Sequence, residues 1–374
     1  MKLMHLSDLH LGKTLCGYSL LDDQRYILDR ILEITQAQKP DAVLIAGDVF
    51  DRSAPSAETV ALMDDFLTRL SALGSPILMI AGNHDSPERI AYGGRIMERS
   101  SIFMSPVYDG TIKSVTLTDA HGKVCFWLMP FLHPADVRQF YPETKPNVND
   151  ALRTVIDTME LDPSVRHVLL AHQFVTGASL SGSEEVYCGT AEQVSAEVFA
   201  PFMYTALGHL HNPMNVGSPR VRYCGTPLKY SASEAGSRKS VTIAELGEIG
   251  TEPVITEIPL VPLRDMKKLH GSFEELICGT DDNFVQVLLT DETDVPDAMA
   301  KLRMHYPYIL GMDYDRKRPD DMAELELLQQ EPDKDPEELF AAFFEQVQGV
   351  AMLPQQAQII HDLVEALWKK EANV

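Results

Sequence analysis

Along the first 270 residues short apolar runs alternate with stretches whose apolar positions recur every three or four residues, the rhythm of a layered α/β domain. Residues 2–7 read as a buried strand. Residues 20–38 carry Leu21, Ile27, Leu28, Ile31, Leu32 and Ile34 near helical spacing, and Pro40 ends that helix. DAVLIAG (41–47) predicts a central strand, residues 56–73 a helix, and SPILMIAG (75–82) another strand. Further strands are expected at 124–130, 166–172, 204–209 and 241–246. Gly93 and Gly94 weaken a helix over 89–99. After a Pro-containing strand at 251–265 the pattern changes. Residues 283–290 predict a strand and 295–304 a short helix, a small α+β unit. An acidic linker with Pro332 and Pro336 then precedes two amphipathic helices. The first carries Leu339, Phe340, Phe343, Phe344, Val347 and Val350, and the second Ile359, Ile360, Leu363, Val364, Leu367 and Trp368. The expected division is 1–270, 271–328 and 329–374.

Composition narrows the class. With 45% apolar and 23% charged residues over 374 positions, the chain can bury a sizeable core, which excludes a wholly disordered or fibrous protein. No apolar run reaches the roughly 18 residues that span a bilayer, and His5, Asp8 and His10 interrupt any signal-like N-terminal run. Five scattered cysteines without a CxxC pair suit reduced thiols, so a cytoplasmic protein with no membrane association is expected. The net charge of −23 argues against an unassisted polyanion binder. The charge is uneven: residues 274–374 hold 23 acidic against 8 basic residues. Arg220, Arg222, Lys229, Arg238 and Lys239, with Glu234 the single acid among them, suit a solvated face as well as phosphate contact.

Candidate chemistry gathers at the predicted strand ends. Four clusters stand there: Asp8-Leu9-His10, Gly47-Asp48-Val49-Phe50-Asp51-Arg52, Gly82-Asn83-His84-Asp85 and Gly208-His209-Leu210-His211. His172 closes a fifth strand. Ligands of open α/β sheets lie beyond the carboxyl ends of strands. Carboxylate, imidazole and amide oxygen together suit manganese, iron or zinc better than calcium or magnesium. DxH and HxH place two side chains on one side of an extended segment, where both can face one ion. Singly these features have ordinary explanations: Asp48 as a helix cap, Asn83 in a turn, His172 as a satisfied core histidine. Their order along the chain makes the joint coincidence improbable.

That order, D-x-H, G-D-x-x-D, G-N-H-D, H and G-H-x-H, resembles the calcineurin-like metallophosphoesterases. SDLHLGK, GDVFDR, GNHDSPER and GHLH are more specifically similar to the nuclease subunits of bacterial SbcCD-type complexes, over essentially the whole chain. The resemblance implies a layered β-sandwich flanked by helices, with a small α+β capping domain that binds DNA and C-terminal helices. It implies two divalent metal ions, Mn²⁺ by preference. Asp8, His10, Asp48 and His211 would hold one ion, and Asp48, Asn83, His172 and His209 the other. His84 matches the catalytic histidine that does not bind metal, with Asp85 expected to align it. Asp51 stands where some relatives carry a second catalytic histidine. The implied partners are DNA and an SbcC-type coiled-coil ATPase docked on the C-terminal helices, in a heterotetramer built on a homodimer. Ser53 and Asp85 replace the glycine and glutamate of the protein phosphatases GDxVDRG and GNHE, which disfavours phosphatase activity. Two rivals are a small-molecule phosphodiesterase or phosphatase, which needs no acidic appendage, and an inactive scaffold, which needs no such polar convergence.

Overall fold

A computed structural model describes residues 1–178 and 193–315, together with Phe340, Ala341, Phe344, Met352 and residues 355–361. The chain divides into two units, Met1–Tyr314 and Asp315–Val374.

In the first unit β1 (Lys2–Leu6) begins a six-stranded sheet, and a small ribbon follows (β2, Thr14–Leu15; β3, Tyr18–Ser19). β4 (Ala42–Ala46), β5 (Ile77–Ile80) and β6 (Ile102–Met104) then extend this first sheet in parallel register. Between them run α1 (Leu21–Gln38) and α2 (Ala57–Ser71). The Ser56 hydroxyl caps α2 by accepting from Thr59 N, and Lys39 closes α1 in the left-handed region just before Pro40. The weak helix at 89–99 is two short pieces, α3 (Pro87–Ala91) and α4 (Gly94–Met97), because Gly93 at φ 73° breaks it.

A second six-stranded sheet is built from β7 (Lys113–Asp119), β8 (Gly122–Leu128), β9 (Arg166–His172), β10 (Tyr204–Gly208), β11 (Met214–Val216) and β12 (Ser218–Tyr223). Helices α5 (Pro134–Phe140) and α6 (Val148–Asp157) lie between β8 and β9 in sequence. The chain then returns to the first sheet. There β13 (Ser240–Glu245) runs antiparallel to β1, and β14 (Val254–Pro259) forms the edge.

Burial defines four layers. Alternate residues of the two sheets, among them Leu3, Leu44, Leu78, Phe126, Leu170, Tyr204 and Ala206, meet in one buried cluster between the sheets. The opposite face of the first sheet packs on α1 and α2 through Met4, Ile31, Val43, Phe66 and Leu70. The opposite face of the second packs on α6 through Leu169, Leu207, Leu152 and Val155. Strands buried on both faces explain runs such as AVLIA and RHVLLAH, which show no polar alternation. The fold is therefore the layered α/β arrangement that the strand rhythm predicted, in the helix-flanked sandwich form that the resemblance implies.

A third, all-parallel sheet joins β15 (Met266–Gly271), β16 (Phe284–Leu289) and β17 (Ile309–Tyr314), with α7 (Phe273–Leu276) and α8 (Ala298–Leu302) in its connections. It has its own core around Val285, Val287, Leu302 and Tyr306. Of the second unit, Phe340, Ala341, Phe344 and residues 355–361 are helical. The acidic linker, Phe343 and the remainder of both expected C-terminal helices lie outside the described residues. Among the described residues no helix is long and apolar enough to cross a membrane.

Candidate metal centre

β1, β4 and β5 run parallel in one sheet and β9 and β10 in the other. Every predicted site residue follows or closes the carboxyl end of one of these five strands. The strand-end loops are laced together by main chain: Asp8 N donates to Gly47 O at 3.0 Å and His10 N to Asp48 O at 3.0 Å. Asp8, His10, Asp48 and His209 all adopt positive φ, at 51°, 42°, 49° and 101°. Such backbone costs about 1–3 kcal/mol per residue and persists where surrounding structure fixes it. Close approach is the other local requirement. A Cβ on Gly82 would lie 2.2 Å from Asp48 Oδ1, and one on Gly208 would lie 2.0 Å from Ala46 O. Only glycine fits.

The side chains converge in three overlapping groups, each with ligand atoms within 4.8 Å of one another: Asp8, His10 and His211; Asp8, Asp48 and His172; and His10, Asp48 and His84. Asn83 and His209 join the second group, since Asn83 Oδ1 lies 3.0 Å from His172 Nε2 and 3.1 Å from His209 Nδ1. Main-chain donors hold the acids in place: His84 N donates to Asp48 Oδ1 at 2.9 Å, and His209 N donates to Asp8 Oδ1 at 3.0 Å. The Ser7 hydroxyl also donates to Asp8.

Two observations test whether a cation suits these residues. His10 is 1% exposed, yet neither ring nitrogen has a hydrogen-bond partner, and Nε2 stands 3.6 Å from Asp48 Oδ2. His172 Nδ1 lies 2.8 Å from Ala46 O, which can only accept, so Nδ1 carries the proton. Its Nε2 then faces Asn83 Oδ1, Asp48 Oδ2 at 3.3 Å and Asp8 Oδ1 at 4.0 Å. A nitrogen lone pair turned on oxygen atoms is repulsive unless a proton or a metal ion lies between them. Buried polar atoms are otherwise satisfied as a rule. The residues fit a divalent cation.

The electrostatics agree. Burial lifts the Asp8 carboxyl to about 6, with His172 opposing and Asp48 adding to the rise. Burial acts on Asp48 too, but the charge and hydrogen bond of His172, then His10 and His84, outweigh it, leaving Asp48 well below the usual carboxylate range. Burial would lower His172, yet the neighbouring Asp48 carboxylate raises it to about 9. Burial pushes His10 far below its ordinary value. The pocket therefore concentrates negative charge that a cation neutralises.

The three expected catalytic residues separate. His84 is 17% exposed at its side chain; its Nδ1 donates to Asp51 O at 3.1 Å, leaving Nε2 3.9 Å from Asp48 Oδ2. Asp85 does not align His84, contrary to expectation. It is 6% exposed and accepts from Val49 N, Phe50 N and Gly82 N at 3.1, 2.9 and 2.9 Å, so it ties two strand-end loops together. Burial and the Asp48 charge lift it to about 6 against those three donors. The Asp51 carboxylate turns away from His84, accepting from Lys13 Nζ at 2.7 Å and lying 3.6 Å from His10 Nδ1. Asp51 thus reaches His84 through its carbonyl and His10 through its side chain.

Sequence reading missed the supports behind the histidines. Lys13 lies within SDLHLGK but gave no sign of pairing with Asp51. Tyr230 packs edge-on against both His10 and His211 and donates its hydroxyl proton to Leu9 O at 2.5 Å. Most of the basic cluster is neither solvated face nor phosphate patch: Lys239 pairs with Glu234, Lys229 with Asp265 and Arg222 with Glu257. The Lys229 and Arg222 pairs join distant parts of the chain, whereas Glu234 and Lys239 are close in sequence, and Glu234 among five bases was a usable hint.

Residues 1–213 match the family described as calcineurin-like phosphoesterase, and residues 262–348 the one described as type 5 capsule protein repressor C-terminal domain. The chain is 32% identical to the SbcD subunit of nuclease SbcCD from Staphylococcus epidermidis, covering 83% of this chain and 85% of the relative. It is 31% identical to the protein of the same name from Staphylococcus saprophyticus, over 98% of each. A solved dimetal phosphatase from Danio rerio aligns at 10% identity with a TM-score of 0.41, over 70% of this chain and 96% of that one. With the first family match spanning more than half its length, and these relatives extending it to the C-terminal region, the chain belongs to the calcineurin-like phosphoesterases and is a metal-dependent phosphodiester hydrolase.

Proposed function

We propose that this chain is the DNA nuclease subunit of an SbcCD-type complex. The observation that carries the reading is the convergence of Asp8, His10, Asp48 and His172 at the strand ends, in a chain akin to proteins named for that subunit. Asp8, His10, Asp48 and His211 would hold one divalent ion and Asp48, Asn83, His172 and His209 a second, with Mn²⁺ preferred by the mixed oxygen and nitrogen donors. When bound, such ions supply Lewis acidity and a lowered pKa for water. His84, tethered at Nδ1 by Asp51 O, presents Nε2 to charge developing on phosphate oxygens, and donates to it when the ring is an imidazolium with both nitrogens protonated. Asp85 holds the loops that carry Asp48 and His84, and Asp51 sets negative charge 3.6 Å from His10 Nδ1.

Residues 1–270 would form the nuclease domain, 271–328 a capping domain that contacts DNA, and 329–374 the helices that dock on an SbcC-type coiled-coil ATPase. That partner supplies basic surface to a chain of net charge −23. The activity expected is ATP-dependent exonuclease on duplex ends and endonuclease on single strands and hairpins, by a cytoplasmic heterotetramer with two copies of this chain.

A nuclease assay on duplex and hairpin DNA, with Mn²⁺ or Mg²⁺ and with or without the ATPase and ATP, tests this. Cleavage should need the divalent cation, and duplex digestion should need partner and ATP. Asp48→Asn should fold, lose metal and lose cleavage. Turnover of small phosphomonoesters alone, or cleavage by Asp48→Asn with two ions bound, overturns the reading.

A further inference from the structure

Behind His211, in the segment that leads into β13, sits a buried ion pair that the proposed chemistry does not use. Glu234, 1% exposed, occupies a 3₁₀ turn (Ala232–Gly236). Lys239, 5% exposed, pairs with it directly. Glu234 Oε1 lies 3.6 Å from His211 Nδ1, and Lys239 Nζ donates to His211 O at 2.8 Å. The pair therefore faces the ring and bonds the main chain of one residue.

Removing two charges from water is costly, and a buried pair is often no more stabilising than apolar residues of the same volume. Stability alone is a weak reason for it. Position is a better one. A carboxylate at Nδ1 favours the tautomer with its proton there, so the lone pair resides on Nε2, and it fixes the ring plane. Lys239 offsets the carboxylate charge, so that Glu234 does not compete as a ligand. The same device recurs across the site: Lys13 pairs with Asp51, and Asp51 stands 3.6 Å from His10 Nδ1. Tyr230 packs against both assemblies, its ring centroid 5.5 Å from that of His10 and 6.1 Å from that of His211.

We infer that Glu234, held by Lys239, is a positioning residue that orients His211 as a ligand of the metal site formed with Asp8 and His10. This rests on the reading of His211 as a ligand, and the experiment separates the two. Mn²⁺ is titrated into the full chain by calorimetry, with electron paramagnetic resonance following the coupled pair of ions. Four variants accompany the wild type: His211→Ala, Glu234→Gln, Lys239→Met, and Glu234→Gln with Lys239→Met. His211→Ala should weaken one binding step and abolish the coupled signal; if both steps persist unchanged, the reading of His211 itself fails. Glu234→Gln should weaken that same step about 10–100-fold, as removal of such outer partners does, and leave the other step alone. The double variant removes the unpaired charge and should restore thermal stability but not the weakened step. Affinity that returns with stability in the double variant, or stays at wild-type strength in Glu234→Gln while His211→Ala loses it, overturns the inference.

Discussion

At the scale of single residues the site separates sealed histidines from one more exposed ring, His84. His84 is the more exposed ring and is anchored by a main-chain carbonyl, whereas His10 and His172 are sealed among carboxylates. His84→Gln should therefore keep both ions while cleavage falls roughly 10²–10⁴-fold, the range for loss of a positioned acid or donor. Metal analysis beside the rate decides it: because His84 also falls within 4.8 Å of His10 and Asp48, loss of an ion would make it a ligand. A second histidine serves the fold. His5 lies between the sheets with Nδ1 2.9 Å from the Tyr204 hydroxyl, and burial, then the Arg222 charge, push it down to about 3, the Leu207 backbone opposing. Unfolded, it titrates near 6.5. Above that value neither state is charged; below it the unfolded chain takes a proton that the native chain refuses. Stability should fall by about 1.4 kcal/mol per pH unit from about 6.5 toward 3 on this account alone. Urea unfolding at pH 7 and pH 5 should show a shallower decline in His5→Gln, and equal slopes would remove His5 from the acid response.

At the scale of elements the decisive contact is between strand ends of different sheets. Gly208 closes β10 against Ala46 O of β4, the carbonyl that accepts from His172 Nδ1. Gly208→Ala should push that carbonyl away, costing about 1–3 kcal/mol as overpacking does. Weaker metal binding should accompany the loss, because His172 loses its fixed orientation. Unchanged denaturation and metal titrations would show that the strands can move apart freely. The five strands that carry this geometry were legible because each is an apolar run ending in Gly or a polar ligand. Other elements escaped. β7 is an edge strand with only Val115 buried, and β15 reads MKKLHG, so neither displays an apolar run. α6 also went unread, although its buried Val148, Ala151, Leu152, Val155 and Ile156 stand at helical spacing and the Asn147 side chain accepts from Asp150 N. The candidate ligand set came from the strand-end motifs and the family that their order resembles. The supports, Glu234 with Lys239 and Lys13 with Asp51, needed the fold, since nothing in a sequence says which carboxylate a buried lysine meets.

At the scale of the molecule, chemistry and charge are segregated. Every residue placed at the metal centre, with its supports, falls between Ser7 and Lys239, whereas residues 274–374 carry net charge −15. The first unit has its own buried cores, ending with the third sheet at Tyr314. A chain cut at Gln330 should therefore remain folded and bind two ions. It should hydrolyse a small model phosphodiester about as well as the full chain, since no ligand or donor has been removed. Capture of the ATPase should be lost, and with it the DNA cleavage that needs ATP. Phe343→Ser with Phe344→Ser in the full chain should weaken capture in the same direction, because apolar anchors at an interface centre commonly contribute more than about 2 kcal/mol each. Metal content and a pull-down on one sample discriminate the outcomes. If the truncated chain is insoluble or lacks metal, those aromatic residues belong to its own core, and the docking site for the ATPase must be sought elsewhere on the first unit.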